Sequence, residues 1–151
     1  MNIDEKFMLE ALKEAKKAEE IDEVPIGVVI VKDNKIISRG HNLREKTCDP
    51  TCHAEIVAIR KACKKNKSWR LEGCTIYVTV EPCSMCAGTI LWSRIDKIVY
   101  GAKDPKGGAI CSSLKLFDST NINHHPEIVG GILEKECASI IKNFFKSKRL
   151  K

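Results

Sequence analysis

The sequence lacks the long apolar run, the leader and the repeats that mark several large classes of protein. No apolar stretch approaches the roughly 20 residues that a membrane-spanning helix needs. The N-terminus carries Asp4 and Glu5 and has no basic region followed by an apolar stretch, so no signal peptide is recognisable. Neither repeats nor a low-complexity linker divide the 151 residues. We therefore expect one soluble domain over residues 1–151, located in the cytoplasm and without membrane contact.

The chain also gives little reason to expect disulfide bonds. Hydrophobic residues make up 43% of the sequence, enough to build a core without covalent staples, and no secretion signal accompanies the thiols. We therefore interpret the cysteines as metal ligands and reduced buried thiols. The eight cysteines are Cys48, Cys52, Cys63, Cys74, Cys83, Cys86, Cys111 and Cys137.

The net charge of +6 is unevenly distributed along the chain. Residues 1–23 hold eight acidic and four basic side chains, so the remaining residues carry an excess of ten positive charges. Such a concentration suits a polyanion such as nucleic acid, but charge alone favours a solubilising tail on a surface helix. The basic residues near the C-terminus are Lys142, Lys146, Lys148, Arg149 and Lys151.

Hydrophobic periodicity predicts strands interleaved with helices, which is typical of a layered α/β domain. Residues 40–51 are predicted to be irregular, and residues 103–113 form a Gly-rich loop that carries lysines. Helices are predicted over residues 3–20, from a start near His53, over 84–92 and over 132–148. Strands are predicted over 24–31, 35–38, 75–80, 97–101 and 127–129.

The residues with the clearest chemistry are His53, Glu55, Cys83 and Cys86. One imidazole and two thiolates can hold Zn²⁺ and leave a fourth tetrahedral position open, as in catalytic zinc sites. Both motifs fall at predicted helix N-termini, whose positive partial charge favours thiolate over thiol. Glu55 is then a proton carrier that need not bind the metal. The His-x-Glu and Pro-Cys-x-x-Cys signatures together predict a zinc deaminase.

Two interpretations of the cysteines without a catalytic zinc site remain possible at this stage. A structural zinc site needs four closed ligands, and Cys48 or Cys52 is available as the fourth. A Cys-x-x-Cys redox pair is the weaker alternative, because it gives Glu55 no purpose.

The motifs continue beyond the zinc signatures. With them the chain resembles the bacterial tRNA-specific adenosine deaminases, within the wider cytidine deaminase superfamily, over nearly its full length. The zinc motifs alone do not separate this branch from guanine or cytosine deaminases, whereas the later segments do. The segments that carry the resemblance are 24–27 (VPIG), 40–42 (GHN), 49–56 (DPTCHAEI), 81–88 (EPCSMCAG), 101–109 (GAKDPKGGA), 123–124 (NH) and 144–149 (FFKSKR).

The resemblance implies a three-layer α/β/α cytidine-deaminase-like fold, with a five-stranded mixed sheet flanked by helices, and a homodimer. It also implies deamination of adenosine to inosine at the first anticodon position of an arginine tRNA, with one Zn²⁺ per subunit. The implied zinc ligands are His53, Cys83 and Cys86, with Glu55 as proton shuttle. The implied contacts with the tRNA anticodon stem-loop are Asn42, the backbone around Ala54 and Pro82, Asp104, Lys106, Phe144, Phe145, Lys148 and Arg149.

Several of these residues have structural alternatives. Asn42 and the Asp104–Gly107 segment have ordinary turn composition, and at least one of Phe144 and Phe145 is expected in the core. Lys148 and Arg149 also suit a solvated tail.

The chain departs from the family pattern at Cys52, where a small alanine is usual, and at Ser84, which is a candidate N-cap. It departs again at His125-Pro126, which follows Asn123-His124.

Three functions compete at this stage. The first is editing of tRNA, the second is a salvage deaminase for guanine, cytosine or a free nucleoside, and the third is a zinc-stabilised RNA-binding module without catalysis. The basic aromatic C-terminus favours RNA over a free base, and Glu55 favours an enzyme over a module.

Overall fold

A five-stranded mixed sheet forms the centre of the computed structural model, which describes residues 1–149. Its spatial order is β2-β1-β3-β4-β5. Strand β1 is antiparallel to both neighbours, whereas β3, β4 and β5 run parallel. Lys151, predicted as part of the basic end, lies outside the described residues. The strands are β1 (Gly27–Lys32), β2 (Lys35–His41), β3 (Cys74–Val80), β4 (Lys97–Ala102) and β5 (Glu127–Val129).

Helices cover both faces of the sheet, so the predicted three-layer arrangement is confirmed. Alternate residues of β1 point to opposite faces: Val28 and Ile30 pack with α3 and α4, and Val29 packs with α1. None of the helices within residues 1–149 is long and apolar enough to cross a bilayer. The helices are α1 (Ile3–Glu20), α2 (Arg44–Thr47), α3 (Ala54–Asn66), α4 (Ser84–Ser93) and α5 (Glu134–Arg149).

Several predicted element boundaries differ from the structure; β2, for example, continues to His41 and does not end at 38. Strand β1 begins at Gly27 and not at 24, because Pro25 lacks the N–H that a strand paired on both sides must donate. The segment predicted to be irregular contains α2, whose Glu45 and Lys46 amides donate to the buried Glu23 carboxylate at 3.0 and 2.7 Å. Helix α5 begins at Glu134 rather than at 132, after Gly131 and Leu133 adopt positive φ.

The parallel strands bring three segments to one edge of the sheet. Val80, the last residue of β3, pairs with Ala102, the last residue of β4, so the chain leaves both strands side by side. The N-terminus of α3 reaches the same region because Gly40 allows a close approach. A Cβ at Gly40 would lie 2.7 Å from the Ala54 carbonyl oxygen. The edge at the carboxyl ends of parallel strands is the usual position of a ligand site.

Gly27 provides a test of how tightly α1 packs on the sheet. A Cβ there would lie 2.0 Å from the Ala11 carbonyl oxygen and 2.3 Å from the Ala15 nitrogen, both of them backbone atoms. Gly27→Ala should therefore lower the free energy of unfolding by about 3 kcal/mol or more, because α1 must move away. Gly88→Ala is the matched control, since a Cβ at that helical position meets nothing within 4 Å. It should be neutral or raise the free energy by up to about 1 kcal/mol. Urea unfolding measures both, and equal losses would contradict this packing.

Candidate metal centre and active site

Three predicted ligands converge at the N-termini of two helices. His53 is the N-cap of α3 and Cys83 is the N-cap of α4, and neither side chain makes a capping hydrogen bond. Both are therefore available to bind an ion together with Cys86 in the first turn of α4. The suggestion that Ser84 caps α4 is wrong, because Ser84 is already the first helical residue.

The geometry of this group fits zinc. The His53 Nδ1 atom lies 3.6 Å from each of the Cys83 and Cys86 Sγ atoms. A tetrahedral ion with Zn–S of about 2.3 Å and Zn–N of about 2.0 Å separates such atoms by about 3.6 Å. Within residues 1–149, these three residues form the one group of three or more candidate ligands, so neither Cys48 nor Cys52 joins as a fourth. The donor set is therefore an open three-ligand site and not a closed structural one.

Without a metal, the three ligands form one hydrogen-bonded group in which Cys83 is the most acidic thiol. Hydrogen bonds from Cys86 and His53 lower the pKa of the Cys83 thiol, against the opposing effect of burial. The hydrogen bond with Cys83 raises the pKa of His53, and the pKa of Cys86 is raised by the same pairing and by burial. The pKa of Cys83 is thus shifted toward the thiolate form that zinc binds, whereas His53 and Cys86 must release protons when a metal binds.

Glu55 lies in the first turn of α3, two residues after His53. Its side chain is only 4% exposed, and burial raises the pKa of this carboxyl to about 7. The carboxyl contacts the Cys86 thiol, but it does not belong to the ligand group. The structure thus places an acid–base group beside the predicted metal position and leaves it free of that position.

Asn42, directly after β2, and Ala54, the first residue of α3, border the same region. The buried Asn42 holds a turn, since its Oδ1 accepts from the Arg44 amide at 3.3 Å. Among the described residues, its Nδ2 group donates no hydrogen bond and is available to a ligand. The Ala54 amide is the first of α3, where helical N–H groups have no partner within the helix.

The predicted RNA loop after β4 is tied to the metal-ligand segment. Asp104 Oδ1 accepts from the Lys106 and Gly107 amides at 3.2 and 3.1 Å, which is the turn that its composition suggests. Lys106 itself is exposed. The Pro82 carbonyl oxygen accepts from the Ala109 amide at 2.8 Å.

The sequence motifs assigned no role to Glu81, which also lies in this region. Glu81, only 3% exposed, accepts hydrogen bonds from the loop after β4. The sequence did contain a signal for Glu81, namely a charged residue placed directly after the apolar end of β3.

The aromatic pair of α5 divides as expected between core and surface. Phe144 is 9% exposed and Phe145 is 44% exposed, with their rings edge to face at 5.5 Å. Lys148 lies over the Phe144 ring and pairs with Asp22, so it is not simply a solvated side chain. Arg149 is exposed at the end of the described chain.

Comparisons with known proteins show which family the chain belongs to. A family model described as MafB19-like deaminase matches residues 1–149. A tRNA-specific adenosine deaminase from Bacillus subtilis (strain 168) is 51% identical over 151 residues, which cover 100% of this chain and 94% of that protein. The chain belongs to the tRNA-specific adenosine deaminases. A further member, from Agrobacterium fabrum (strain C58 / ATCC 33970), is 47% identical over 144 residues, which cover 95% of each chain.

Among solved structures, one from the tRNA:A34 deaminases matches this chain more closely than a guanine deaminase does. One from a study of A-to-I editing by tRNA:A34 deaminases at the wobble position matches with a TM-score of 0.87 and 47% identity, over 89% of this chain and 98% of that one. A guanine deaminase from Bacillus subtilis matches with a TM-score of 0.65 and 32% identity, over 100% of this chain and 96% of that one. As a member of the tRNA-specific adenosine deaminase family, this protein is a hydrolytic deaminase, and it has the predicted fold.

Proposed function

We propose that this protein is a zinc-dependent enzyme that deaminates adenosine to inosine at the first anticodon position of tRNA, in particular of an arginine tRNA. The observation that carries the proposal is the open group of His53, Cys83 and Cys86 with the buried Glu55 beside it. A non-catalytic RNA-binding module would have no use for a buried carboxyl at that position.

The residues divide the chemistry between them. His53, Cys83 and Cys86 would hold Zn²⁺, which when bound would activate a water molecule. Glu55 takes one proton from the attacking water and passes it to a ring nitrogen of adenine. It then takes a second proton, from the hydroxyl group now bound to the purine carbon, and passes it to the departing amino group. Water and adenosine are thereby converted into inosine and ammonia, and Glu55 ends in its starting state.

The surroundings of the site suit a nucleotide extruded from a loop. An anticodon loop offers partly unstacked bases, so flipping one into a narrow pocket requires little energy. The free Nδ2 group of Asn42 and the first amides of α3 are donors for that nucleoside. Ala54 and Pro82 then form the backbone walls around its base.

A groove with more basic than acidic side chains runs along α5, and its acidic members include Asp22 and Glu45. Two clefts flank this helix and share Val24, Arg44 and Phe145. The further basic residues that line them, Lys46, Lys103, Lys142 and Lys148, suit RNA phosphates. Asp104 and Pro105 lie in the same lining, which supports a role for the loop of Asp104 and Lys106 in RNA contact.

The free-base alternative has less support. The relation to the guanine deaminase structure is weaker in both identity and superposition than the relation to the tRNA:A34 deaminase structure. A basic groove bordered by an exposed aromatic ring also has no purpose for a neutral free base. We further propose a single-domain, cytoplasmic homodimer, as the family resemblance implies.

Sequencing of the reacted RNA tests this proposal. An arginine anticodon stem-loop with adenosine at the first anticodon position is incubated with the zinc-loaded enzyme, and inosine is detected as an A-to-G change in the cDNA. A second stem-loop carries that adenosine one position later. We expect inosine at the first anticodon position of the first RNA and none in the second. Equal editing of both RNAs, or of neither, would contradict the proposed function.

The two phenylalanines of α5 give a paired prediction about the groove. Phe145→Ala should weaken stem-loop binding by about 5- to 150-fold, the equivalent of about 1–3 kcal/mol for one lost stacking contact, and leave stability nearly unchanged. Phe144→Ala should instead lower the free energy of unfolding by about 3 kcal/mol, because that ring is buried. Fluorescence anisotropy and urea unfolding measure the two effects. Stability loss without weaker binding in Phe145→Ala would place that ring outside the RNA groove.

A further inference from the structure

Glu81 is the centre of a hydrogen-bond network that no step of the proposed chemistry uses. Its Oε2 accepts from the amides of Ile110, Cys111 and Ser112 at 3.0, 2.8 and 3.1 Å. Its Oε1 accepts from the Asp104 amide at 3.2 Å and from the Ser112 hydroxyl at 2.5 Å. We call these contacts the Glu81 network.

The Glu81 network joins both ends of the loop after β4 to one carboxylate. Asp104 lies at the start of this loop, close to Lys106 in the sequence, and Ile110–Ser112 lie at its end. The loop folds tightly over the carboxylate, since a Cβ at Gly108 would lie 2.3 Å from the Glu81 Cδ atom. A side chain at position 108 would therefore displace the Glu81 carboxylate from its present place.

The same network lies next to the zinc-ligand segment. Glu81 is followed directly by Pro82 and Cys83. The Pro82 carbonyl oxygen accepts from the Ala109 amide, and Cys83 forms a β-bridge with Gly108. One buried carboxylate thus fixes the position of the loop relative to a metal ligand.

We propose that Glu81 is a positioning residue that holds Asp104 and Lys106 in the place where they contact RNA bound at the metal site. This inference rests on the proposed function, in which the two loop residues face the RNA. Glu81 itself touches neither the substrate nor the reacting atoms.

The division of donors between the two oxygens makes Glu81→Gln a selective test. A carboxylate accepts at both oxygens, whereas an amide has one accepting oxygen and one NH₂ group. The amide oxygen will take the Oε2 position, where three backbone amides point. The NH₂ group then takes the Oε1 position. The Ser112 hydroxyl can rotate and accept a hydrogen bond from this NH₂ group. The Asp104 amide can only donate, so it loses its acceptor. Glu81→Gln therefore releases the Asp104 end of the loop and keeps the Ile110–Ser112 end.

Kinetics on the stem-loop form the first arm of the test. Glu81→Gln should raise KM about tenfold or more, the equivalent of one lost hydrogen bond to a charged group. It should leave kcat within about threefold and zinc content unchanged, because Glu55 and the ligands keep their places. Loss of kcat or of zinc with an unchanged KM would overturn the proposal, since Glu81 would then act through Cys83.

Asp4→Asn is the control for general loss of stability. Asp4 accepts from the Tyr77 hydroxyl and pairs with Lys97 near the start of β4, and its replacement should not change KM.

A double-mutant cycle separates positioning from a direct effect. If Glu81 acts through the loop, Lys106→Ala should weaken RNA binding, and adding Glu81→Gln to it should weaken binding little further. Fully additive effects would overturn the proposal. The binding constants are measured by anisotropy on a Glu55→Ala background, so that turnover does not interfere.

Hydrogen exchange provides an arm that needs no RNA. In Glu81→Gln the amides of Lys103, Asp104 and Lys106 should exchange at least tenfold faster than in the wild type, while those of 110–112 keep their protection. Unchanged exchange over 103–106 would overturn the proposal. A wild-type enzyme without activity on the stem-loop would instead refute the proposed function, and exchange would still decide whether Glu81 positions this loop.

Discussion

Replacing Glu55 by glutamine should reduce deamination of the stem-loop by at least about 100-fold and up to about 10,000-fold, the range lost with a general acid–base group. Glutamine has nearly the same volume and fits the same buried position, but it cannot take a proton from water or return one to the amino group. Folding and zinc content should therefore stay at their wild-type values. The measurement is ammonia release under single-turnover conditions, with zinc determined by mass spectrometry on the same samples.

Glu14→Gln is the matched control for this prediction. Glu14 is also a buried carboxylate, at 3% exposed, but it lies on α1 and pairs with Lys17 and Arg39. Its replacement should leave the turnover number unchanged. A Glu55→Gln enzyme with full activity would remove Glu55 from the mechanism, whatever the control shows.

Serine in place of Cys83 should abolish both zinc binding and activity. A hydroxyl does not ionise at neutral pH and is a poor zinc ligand, so two remaining protein ligands hold the ion too weakly. We expect zinc to fall from about one ion per chain to near zero, with turnover below detection. Zinc added back after chelation should restore the wild type and not the variant.

Cys74→Ser is the control for loss of a buried thiol. Cys74 is fully buried at the start of β3 and lies outside the ligand group. The variant should lose some stability and keep its zinc. Retention of stoichiometric zinc in Cys83→Ser would contradict the three-ligand site, and equal zinc loss in both variants would indicate a stability effect.

The grouping of the candidate zinc ligands was predictable because much of its information is local. Cys83 and Cys86 are spaced by one helical turn, and Glu55 follows His53 by two residues at a predicted helix start. The Cys83–Cys86 spacing indicates that both thiols share a helix face before any tertiary contact is known, and the His-x-Glu step completes the deaminase signature. That His53 approaches the two cysteines from another helix was inferred from the combined signature, and the measured distances agree with it.

Features that depend on distant contacts were not predictable in the same way. Helix α2 forms where the buried Glu23 carboxylate accepts from its amides, a contact 22 residues apart in the chain. Glu81 reaches a segment 29 residues later, so its role depends on how β3 and β4 pair. Arg44, which lines both clefts along α5, was hidden in a segment without periodicity.

The ratio of kcat/KM for the arginine anticodon stem-loop to that for free guanine tests the central claim most directly. Ammonia release is measured for both substrates with the same zinc-loaded preparation, and free cytosine and adenosine serve as further comparisons. We expect the stem-loop value to exceed every free-base or nucleoside value by at least about 1,000-fold, because groove contacts contribute only when RNA is bound. Rapid ammonia release from guanine or cytosine, with an inert stem-loop, would contradict the account.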